Sequence, residues 1–146
     1  HNMSDIDEIS VYKFSYAWTY TEARIEAFQC LQALNEKGIH FDYFYLDLEA
    51  HGGRDYKPDE ASAVIMAYVD QFHFLGLDDK FRLYFNYNYA KNIIDKMWRR
   101  VPVWLARYNR TMGDVSPFNV VLWQYTSTGH VDGIATNVDI SKGVNG

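Results

Sequence analysis

The order of predicted elements places this chain in the α/β class, with a parallel sheet whose strands are joined by helices. Short apolar or alternating runs, typical of strands, recur along the 146 residues. Longer stretches with helical period separate the first of these runs, and each has a recognisable start signal. Since a parallel pair of strands needs a crossover connection, this alternation favours a parallel sheet with helices packed against it.

The first strand is predicted at residues 10–16, and a capping box formed by Thr19 and Glu22 begins the helix that follows. Gly38 sits where a left-handed residue would end this helix. The second strand is predicted to run through residues 43–49. The apolar residues at helical spacing, predicted to form the buried side of the first helix, are Ala23, Ala27, Phe28, Leu31 and Leu34.

Pro58, followed by two acidic residues, begins a second helix. Its predicted buried side consists of Val64, Ile65, Tyr68, Phe72 and Leu75. A strand at 81–85 and a third helix at 89–98 follow, the helix with Ile93, Ile94 and Met97 facing inward. The remaining predicted strands are at 103–108 and 119–125, with short segments around Val131 and Val138 closing the domain as an antiparallel end.

Length and composition predict a single domain and exclude several function classes. Residues 1–10 are interpreted as a tag scar and polar leader, and residues 11–146 as the domain itself. The net charge of −5 and the lack of a basic run argue against nucleic acid as a partner. No apolar run approaches a membrane span, no signal peptide is visible, and Cys30 alone permits neither an intrachain disulfide nor a thiolate metal site.

Two acidic residues on the second strand are the main candidates for chemistry. Asp47 and Glu49 are two residues apart, so on a strand they share a face, with Cα atoms about 6.5–7 Å apart. That spacing suits two carboxyl groups placed around one glycosidic bond. The alternative is that the acids form the solvated side of an edge strand and discourage pairing with other sheets.

Position along the predicted strands supports the catalytic interpretation. Asp47 and Glu49 fall at the end of their strand, and so do the pairs 107–108 and 124–125. In parallel α/β folds and barrels, active residues collect at the carboxyl ends of strands. The chain is also rich in Tyr and Trp, whose rings combine a flat apolar face with a polar tip and suit sugar rings.

Taken together, the ordered motifs resemble those of glycoside hydrolase family 25, the Chalaropsis-type lysozymes or N-acetylmuramidases of bacteria and phages. The resemblance extends over residues 11–140. The motifs that carry it are Y-L-D-L-E at 45–49, L-Y at 83–84, V-W-L-A-R-Y at 103–108, L-W-Q-Y at 122–125 and G-x-x-x-N-V-D at 133–139.

The resemblance implies an irregular TIM-like β/α barrel and cleavage of the β-1,4 bond between N-acetylmuramic acid and N-acetylglucosamine. It gives Glu49 the role of proton donor, lets Asp47 stabilise the developing charge or orient the substrate acetamido group, and adds Asp139 to the same cleft. No cofactor or metal is implied. The residues predicted to bind the saccharide are Tyr45, Tyr84, Trp104, Arg107, Tyr108, Trp123, Gln124 and Tyr125.

Physical chemistry sets what such a pair of acids requires. The proton donor of a glycosidase needs a raised pKa, while its neighbour is expected to stay ionised and face the cationic transition state. We therefore expect Asp47 to be the ionised member. For Asp139, Tyr84 and Trp104, ordinary turn or core packing explains the residue type about as well as sugar contact does.

The chain also departs from the family pattern. Relatives begin with about two further β/α units, whose D-x-S-x-x-Q motif does not occur here, and Lys13 stands where the family usually has His. We therefore expect a barrel truncated at its N-terminus, with two open sheet edges. Those edges predict pairing with a missing N-terminal segment or with a second copy in a homodimer.

Two main function classes follow from these observations, beside a third and weaker one, an interaction protein whose aromatic surface meets another chain. The first is a peptidoglycan muramidase, secreted or released to the bacterial cell wall in the manner of a phage lysin, with the activity of this chain alone uncertain. The second is a degenerate glycan-binding module that holds cell-wall glycan strands without cleaving them. The absent D-x-S-x-x-Q motif and Lys13 favour the second, whereas Asp47, Glu49 and Asp139 favour the first.

Overall fold

The computed structural model of the chain describes residues 8–129 and 138–144. Strands and helices alternate in the predicted order, which confirms the α/β class. The elements are β1 (Ser10–Phe14), α1 (Tyr20–Glu36), β2 (Tyr43–Asp47), α2 (Pro58–Phe74), β3 (Phe81–Asn86), α3 (Tyr87–Asn92), β4 (Val103–Ala106), β5 (Val120–Gly129) and β6 (Val138–Gly143). No helix within the described ranges is long and apolar enough to cross a membrane.

One sheet contains all six strands in the order β1-β2-β3-β4-β5-β6. The first five strands are parallel, and β6 pairs antiparallel with β5, as predicted for the end of the domain. Within the described part of the chain, β1 and β6 are the outer strands. The predicted segment around Val131 lies outside the described residues.

Local signals place the ends of α1 where the sequence predicts them. Thr19 accepts a hydrogen bond from the backbone N–H of Glu22, and the Glu22 carboxylate accepts one from the N–H of Thr19, at 3.1 Å each. Gly38, with φ of +66°, follows the C-terminus in the left-handed region. Of the predicted buried face, Ala23, Ala27 and Leu31 are buried and Leu34 is half-buried, whereas Phe28 is 52% exposed. Phe28 directly follows the completely buried Ala27 along the helix.

The second helix begins at Pro58, as predicted. Glu60 accepts a hydrogen bond from the backbone N–H of Lys57 at 2.9 Å, which satisfies one free donor of the first turn. Of the predicted buried side, Val64, Ile65, Tyr68 and Phe72 are fully buried. The prediction that Leu75 is buried is wrong, because Leu75 follows the last helical residue and is 47% exposed.

The third helix is shorter than predicted. It ends at Asn92, and a separate 3₁₀ turn forms at Lys96–Trp98. The break occurs because the Asp95 side chain accepts a hydrogen bond from the Met97 N–H at 2.7 Å and starts the new turn. Ile94 is buried as expected, while Met97 is 51% exposed.

Both faces of the sheet are occupied, by different kinds of side chain. On the face that packs against the helices lie Phe44, Leu46, Leu48, Leu83, Phe85, Val103 and Leu105, all completely buried. The opposite face of the same strands carries Tyr45 and Asp47 on β2, with Arg82 and Tyr84 opposite them on β3. Tyr84 in turn pairs with Trp104 on β4. This polar and aromatic face positions the candidate site.

Candidate active site

The two candidate acids lie at the carboxyl end of the sheet. Asp47 is the last residue of β2, and the backbone N–H of Leu48 donates to the Tyr84 carbonyl at 3.0 Å, so the chain stays extended toward Glu49. Asp47 is completely buried, whereas Glu49 is half-buried. The predicted position at a strand end is therefore confirmed, and the alternative of a solvated edge is wrong, since β2 lies between β1 and β3.

Asp47 has an unusual set of partners. The Tyr12 hydroxyl donates a hydrogen bond to its Oδ2. Its Oδ1 is buried and receives no hydrogen bond from an N–H or O–H donor of the described residues. The carboxyl group of Glu49 is close enough to form a hydrogen bond with Asp47 when one of the two is protonated. Asp47 therefore belongs to a carboxyl pair that needs a proton to satisfy its buried oxygen.

Burial raises the pKa of Asp47 to about 9, with the hydrogen bond to Glu49 and the charge of Glu49 acting in the same direction. This shift favours a proton on the carboxyl pair near neutral pH. It runs against the expectation that Asp47 stays ionised in the protein without substrate. The physical reason is that the Asp47 side chain is buried beside a second acid, so a carboxylate there would be both desolvated and repelled.

Aromatic rings form the floor beside Asp47. The Trp104 ring lies edge-on to three tyrosines, with centroid distances of 4.9 Å to Tyr84, 5.5 Å to Tyr45 and 6.2 Å to Tyr12. Tyr84 donates a hydrogen bond to the side-chain oxygen of Gln124. The structure therefore brings together four residues that the sequence predicts to bind saccharide, namely Tyr45, Tyr84, Trp104 and Gln124.

Arg82 supports this floor from β3. Its Nη1 donates to the Tyr45 hydroxyl at 2.9 Å, and its guanidinium carbon lies 3.4 Å from the centroid of the Tyr43 ring. The sequence prediction did not include Arg82. Its alternation with Tyr84 along β3 is the only sequence signal that could have placed it on this face.

Arg107 lies in the loop between β4 and β5 and makes its contacts with that loop and with α3. Its guanidinium carbon lies 3.8 Å from the centroid of the Tyr87 ring, and Nη1 donates to the Met112 carbonyl at 3.1 Å. Gly113 has φ of +79°, and a Cβ added there would lie 1.6 Å from Arg107 Nη1. Arg107 thus holds this loop against α3. Tyr108, the next residue, is 58% exposed.

Trp123 and Tyr125 are on β5 itself rather than beyond its end. Trp123 pairs in register with the core residue Leu105 and donates from Nε1 to the Arg107 carbonyl at 3.0 Å. Successive residues of a strand point to opposite faces, so Trp123 and Gln124 project to different sides. The Tyr125 ring centroid is 5.7 Å from that of Trp123. The saccharide-binding roles of Arg107, Tyr108, Trp123 and Tyr125 stay predictions.

Asp139 has its backbone in β6, while its side chain lies outside the described residues. Tyr12 is a second residue of the site, after Arg82, that sequence reasoning missed. It pairs in register with Tyr45 on the neighbouring strand, so its ring belongs to the same face as Asp47. Within the described ranges, no three His, Cys, Asp or Glu side chains are grouped in a way that could hold a metal ion.

A cavity of about 690 Å³ lies elsewhere, between the C-terminal halves of α1 and α2. Exposed or half-buried apolar side chains line it, including Phe28, Phe74 and Leu75. None of the predicted site residues contributes to its lining. This cavity is therefore separate from the carboxyl pair, which remains the candidate site.

Comparison with known proteins gives a family match and several similar folds. A family model described as "Glycosyl hydrolases family 25" matches residues 6–134. No curated protein sequence matches the chain significantly.

Similar solved structures include the modular autolysin LytC from Streptococcus pneumoniae in complex with a synthetic peptidoglycan ligand. It has a TM-score of 0.77 and 23% identity, over 90% of this chain and 32% of that one. The spore cortex lytic enzyme SleM of Clostridium perfringens has a TM-score of 0.78 and 22% identity, over 95% and 50%. The CTP1L endolysin has a TM-score of 0.71 and 25% identity, over 93% and 46%.

These likenesses confirm the expected family fold, and the chain spans about a third to a half of the length of those structures. The family match covers most of the 146 residues and includes both carboxyl groups of the pair. The chain therefore belongs to glycosyl hydrolase family 25.

Proposed function

We propose that this chain is the catalytic part of a peptidoglycan muramidase that cleaves the β-1,4 bond between N-acetylmuramic acid and N-acetylglucosamine. The observation that carries the proposal is the carboxyl pair of Asp47 and Glu49, held at the carboxyl end of a parallel sheet beside aromatic rings. Family membership supports it. So do the names of similar structures, an autolysin with a peptidoglycan ligand and an endolysin.

The pair supplies the proton that glycoside cleavage needs. Because burial and the neighbouring acid raise the pKa of Asp47 to about 9, the pair retains a proton at neutral pH. Glu49 is the less buried member and delivers the proton to the leaving oxygen. As the sugar acquires positive charge, ionisation of Asp47 becomes favourable, so the proton passes from Asp47 toward Glu49 along their hydrogen bond.

Asp47 has a second role in this proposal. Its position is fixed by the hydrogen bond from Tyr12, and its remaining oxygen has no other donor among the described residues. A substrate acetamido N–H is a donor of the right kind for that oxygen. Asp47 would thereby orient the acetamido group of the sugar whose bond is cleaved.

The aromatic floor is suited to neutral sugars. Trp104 is half-buried and keeps part of its surface in contact with solvent, while the buried rings of Tyr45 and Tyr84 lie edge-on to it. Stacking of a pyranose against such rings removes apolar C–H surface from water without requiring a charge. We assign substrate contact to Trp104, and to Tyr45 and Tyr84 the support of its orientation.

Replacement of Glu49 by Gln tests the proposal. This change keeps the shape of the side chain and removes the transferable proton. Purified peptidoglycan is incubated with parent and variant, and the released fragments are analysed by mass spectrometry for N-acetylmuramic acid at the reducing end. Glu36→Gln, an exposed change at the end of α1, is the matched control. Equal release of fragments by Glu49→Gln and the parent would overturn the proposal.

A glycan-binding module without hydrolysis is the second candidate. The observation that favours it is the neutral, completely buried state of Asp47, which offers no resting carboxylate to a cationic transition state. Calorimetric binding of a muramyl oligosaccharide, with no cleaved product from the parent protein after prolonged incubation, would establish this second function in place of the first.

The proposed place of action is the bacterial cell wall, and the proposed partner is the peptidoglycan glycan strand. Within the described residues β1 and β6 have a strand on one side only, which leaves backbone groups for further pairing. We propose that β1 can pair with a second copy or with a further strand of the same barrel. Light scattering during size-exclusion chromatography separates these cases, since a monomer at high concentration excludes the homodimer.

A further inference from the structure

Four aromatic side chains form a cluster beside the carboxyl pair, which we call the rim cluster: Phe14, Tyr16, Trp18 and His51. The ring centroid of His51 is 4.1 Å from that of Trp18, with an angle of 24° between the planes. It is 5.7 Å from Phe14 and 5.8 Å from Tyr16. Phe14 and Tyr16 are themselves 4.9 Å apart.

The rim cluster adjoins the candidate catalytic acids. Phe14 is the register partner of Asp47, and the backbone N–H of Ser15 donates to the Asp47 carbonyl at 3.1 Å. His51 follows Glu49 by two residues. Neighbouring strands are about 4.8 Å apart, so the cluster continues the aromatic surface within one strand spacing of the pair.

Packing does not account for the exposed part of the cluster. Tyr16 is 66% exposed, and Phe14 and His51 are half-buried. Only Trp18 among the four packs against the hydrophobic core. Exposed aromatic surface beside a group of candidate catalytic side chains is typical of a binding site.

The base of the cluster is rigid. The guanidinium carbon of Arg54 lies 3.7 Å from the centroid of the Trp18 ring. Arg54 also donates to both carboxylate oxygens of Glu60, at 2.8 and 2.9 Å. Gly52, with φ of +61°, allows the loop to turn so that these groups meet, and an added Cβ would lie 3.9 Å from the Trp18 ring. The guanidinium of Arg54 is thus already occupied by its contacts with Trp18 and Glu60.

The hydrogen bonds of Tyr56 fix the tautomer of His51. Tyr56 donates its single hydroxyl proton to the Ala17 carbonyl at 2.6 Å. The contact of 3.2 Å between His51 Nε2 and the Tyr56 oxygen therefore requires Nε2 to be the donor. Burial and the charge of Arg54 lower the pKa of His51, which favours the neutral ring. His51 Nδ1 is consequently a hydrogen-bond acceptor.

We propose that the rim cluster is an additional saccharide subsite, which binds a sugar of the same glycan strand beyond the pair that is cleaved. The Tyr16 ring lies against the apolar face of a pyranose, and His51 Nδ1 accepts a hydrogen bond from an acetamido N–H or a hydroxyl group. This inference rests on the proposed function. The subsite does not use Arg54, whose guanidinium is already paired with Glu60. The ammonium of Lys13 lies 5.4 Å from the centroid of the Tyr16 ring.

The test measures how affinity depends on glycan length. Calorimetry is performed with peptide-free oligosaccharides of alternating N-acetylglucosamine and N-acetylmuramic acid, of increasing length, in a Glu49→Gln background that prevents cleavage. We expect affinity to rise at the length that reaches the rim cluster. Tyr16→Ala should remove that rise, weakening the longer ligands about tenfold and leaving the shorter ones unchanged.

Three further variants sharpen the test. Tyr16→Phe keeps the ring and should retain the affinity. His51→Gln keeps a donor toward Tyr56 and loses the ring acceptor, so it should weaken only the longer ligands. Phe74→Ala removes an aromatic side chain that is 75% exposed on α2 and should change nothing. Near-ultraviolet circular dichroism checks that each variant is folded.

The outcomes separate the two proposals. If Tyr16→Ala binds glycans of every length as tightly as its background, the subsite is wrong while the muramidase proposal stands. An effect of Tyr16→Ala that appears only with peptide-bearing fragments would assign the cluster to the stem peptide and also overturn the saccharide subsite. If, separately, Glu49→Gln cleaves peptidoglycan as fast as the parent, the proposed function itself fails.

Discussion

The two faces of β2 are equally buried but carry side chains of opposite chemistry. Phe44, Leu46 and Leu48 project toward the helices, where they are completely buried among other apolar side chains. Tyr45 and Asp47 project to the opposite face, where they are also buried but carry polar groups with specific partners. Burial is therefore equal on the two faces, while its consequences are opposite.

The difference teaches how one short strand serves both stability and chemistry. Apolar burial on the helix side contributes free energy of folding. On the other side, burial makes the charged form of Asp47 less stable than the neutral form. This difference in free energy raises the pKa of Asp47. Substitutions on the two faces should consequently affect different measurements, and four predictions test this separation.

The largest expected effect is on catalysis. Glu49→Gln should lower kcat by about 100- to 10,000-fold, since it removes the proton donor. Its free energy of unfolding should stay within about 0.5 kcal/mol of the parent, because the side chain is half-buried and Gln matches its size. Kinetics on soluble glycan and urea unfolding measure the two quantities. A large loss of stability would contradict the separation of the faces.

Leu46→Ala should produce the reverse pattern. Leu46 is completely buried against the helices, so the change should lower the free energy of unfolding by about 2–5 kcal/mol. Urea unfolding measures this loss. Leu75→Ala, at a position that is 47% exposed, is the control and should cost far less. If Leu46→Ala and Leu75→Ala lowered the free energy of unfolding equally, the assignment of the helix-side core would be incorrect.

The pH dependence of stability should report the proton on Asp47. The pKa is about 9 in the folded protein against an ordinary value of 3.8, so the folded state keeps a proton that the unfolded state releases. This contribution is complete below the ordinary value and is lost as the pH rises through the folded value. The parent should therefore lose stability between about pH 5 and about pH 8.

Asp47→Asn provides the comparison for that measurement. Asn is neutral at every pH and resembles the protonated acid, so the decline over the same interval should become smaller. Urea midpoints of both proteins, measured across the interval in one buffer series, check the prediction. An identical decline in parent and variant would mean that Asp47 does not hold the proton.

The smallest expected effect is that of Tyr12→Phe. It removes one hydrogen bond to Asp47 and keeps the ring, which should cost about 0.5–1.5 kcal/mol of stability. A donor to a carboxylate favours its charged form, so its loss should raise the pKa of Asp47 further. The alkaline limb of the pH profile of kcat/KM should then move to higher pH. An unchanged pH profile of kcat/KM would show that the Tyr12 hydroxyl does not affect the pKa of Asp47 and that Tyr12 contributes only through packing.

Much of the fold was predictable because it depends on local signals. The capping box of Thr19 and Glu22, the left-handed Gly38 and Pro58 at the start of α2 mark element ends by backbone chemistry that acts within a few residues. The third helix was predicted too long because Asp95, which starts a new turn, competes with helical continuation. Phe28 follows the helical period only approximately, and it lines the cavity between α1 and α2 instead of the core.

The candidate site was predictable in part. The spacing of Asp47 and Glu49 gives their common face, since alternation along a strand is a local property. The role of Tyr12 was not predictable, because its contact with Asp47 joins residues that are 35 positions apart. Arg107 was predicted to bind saccharide, yet the structure shows it stacked on Tyr87 and held over Gly113.

The sequence by itself determined the α/β order of elements, the family, and which two acids stand at the end of β2. Only the tertiary structure decided which of those acids is enclosed and therefore keeps a proton. The reason is physical. Element order follows from backbone preferences and periodicity within the chain, whereas the pKa of a carboxyl group depends on desolvation by every neighbour, including residues on other strands.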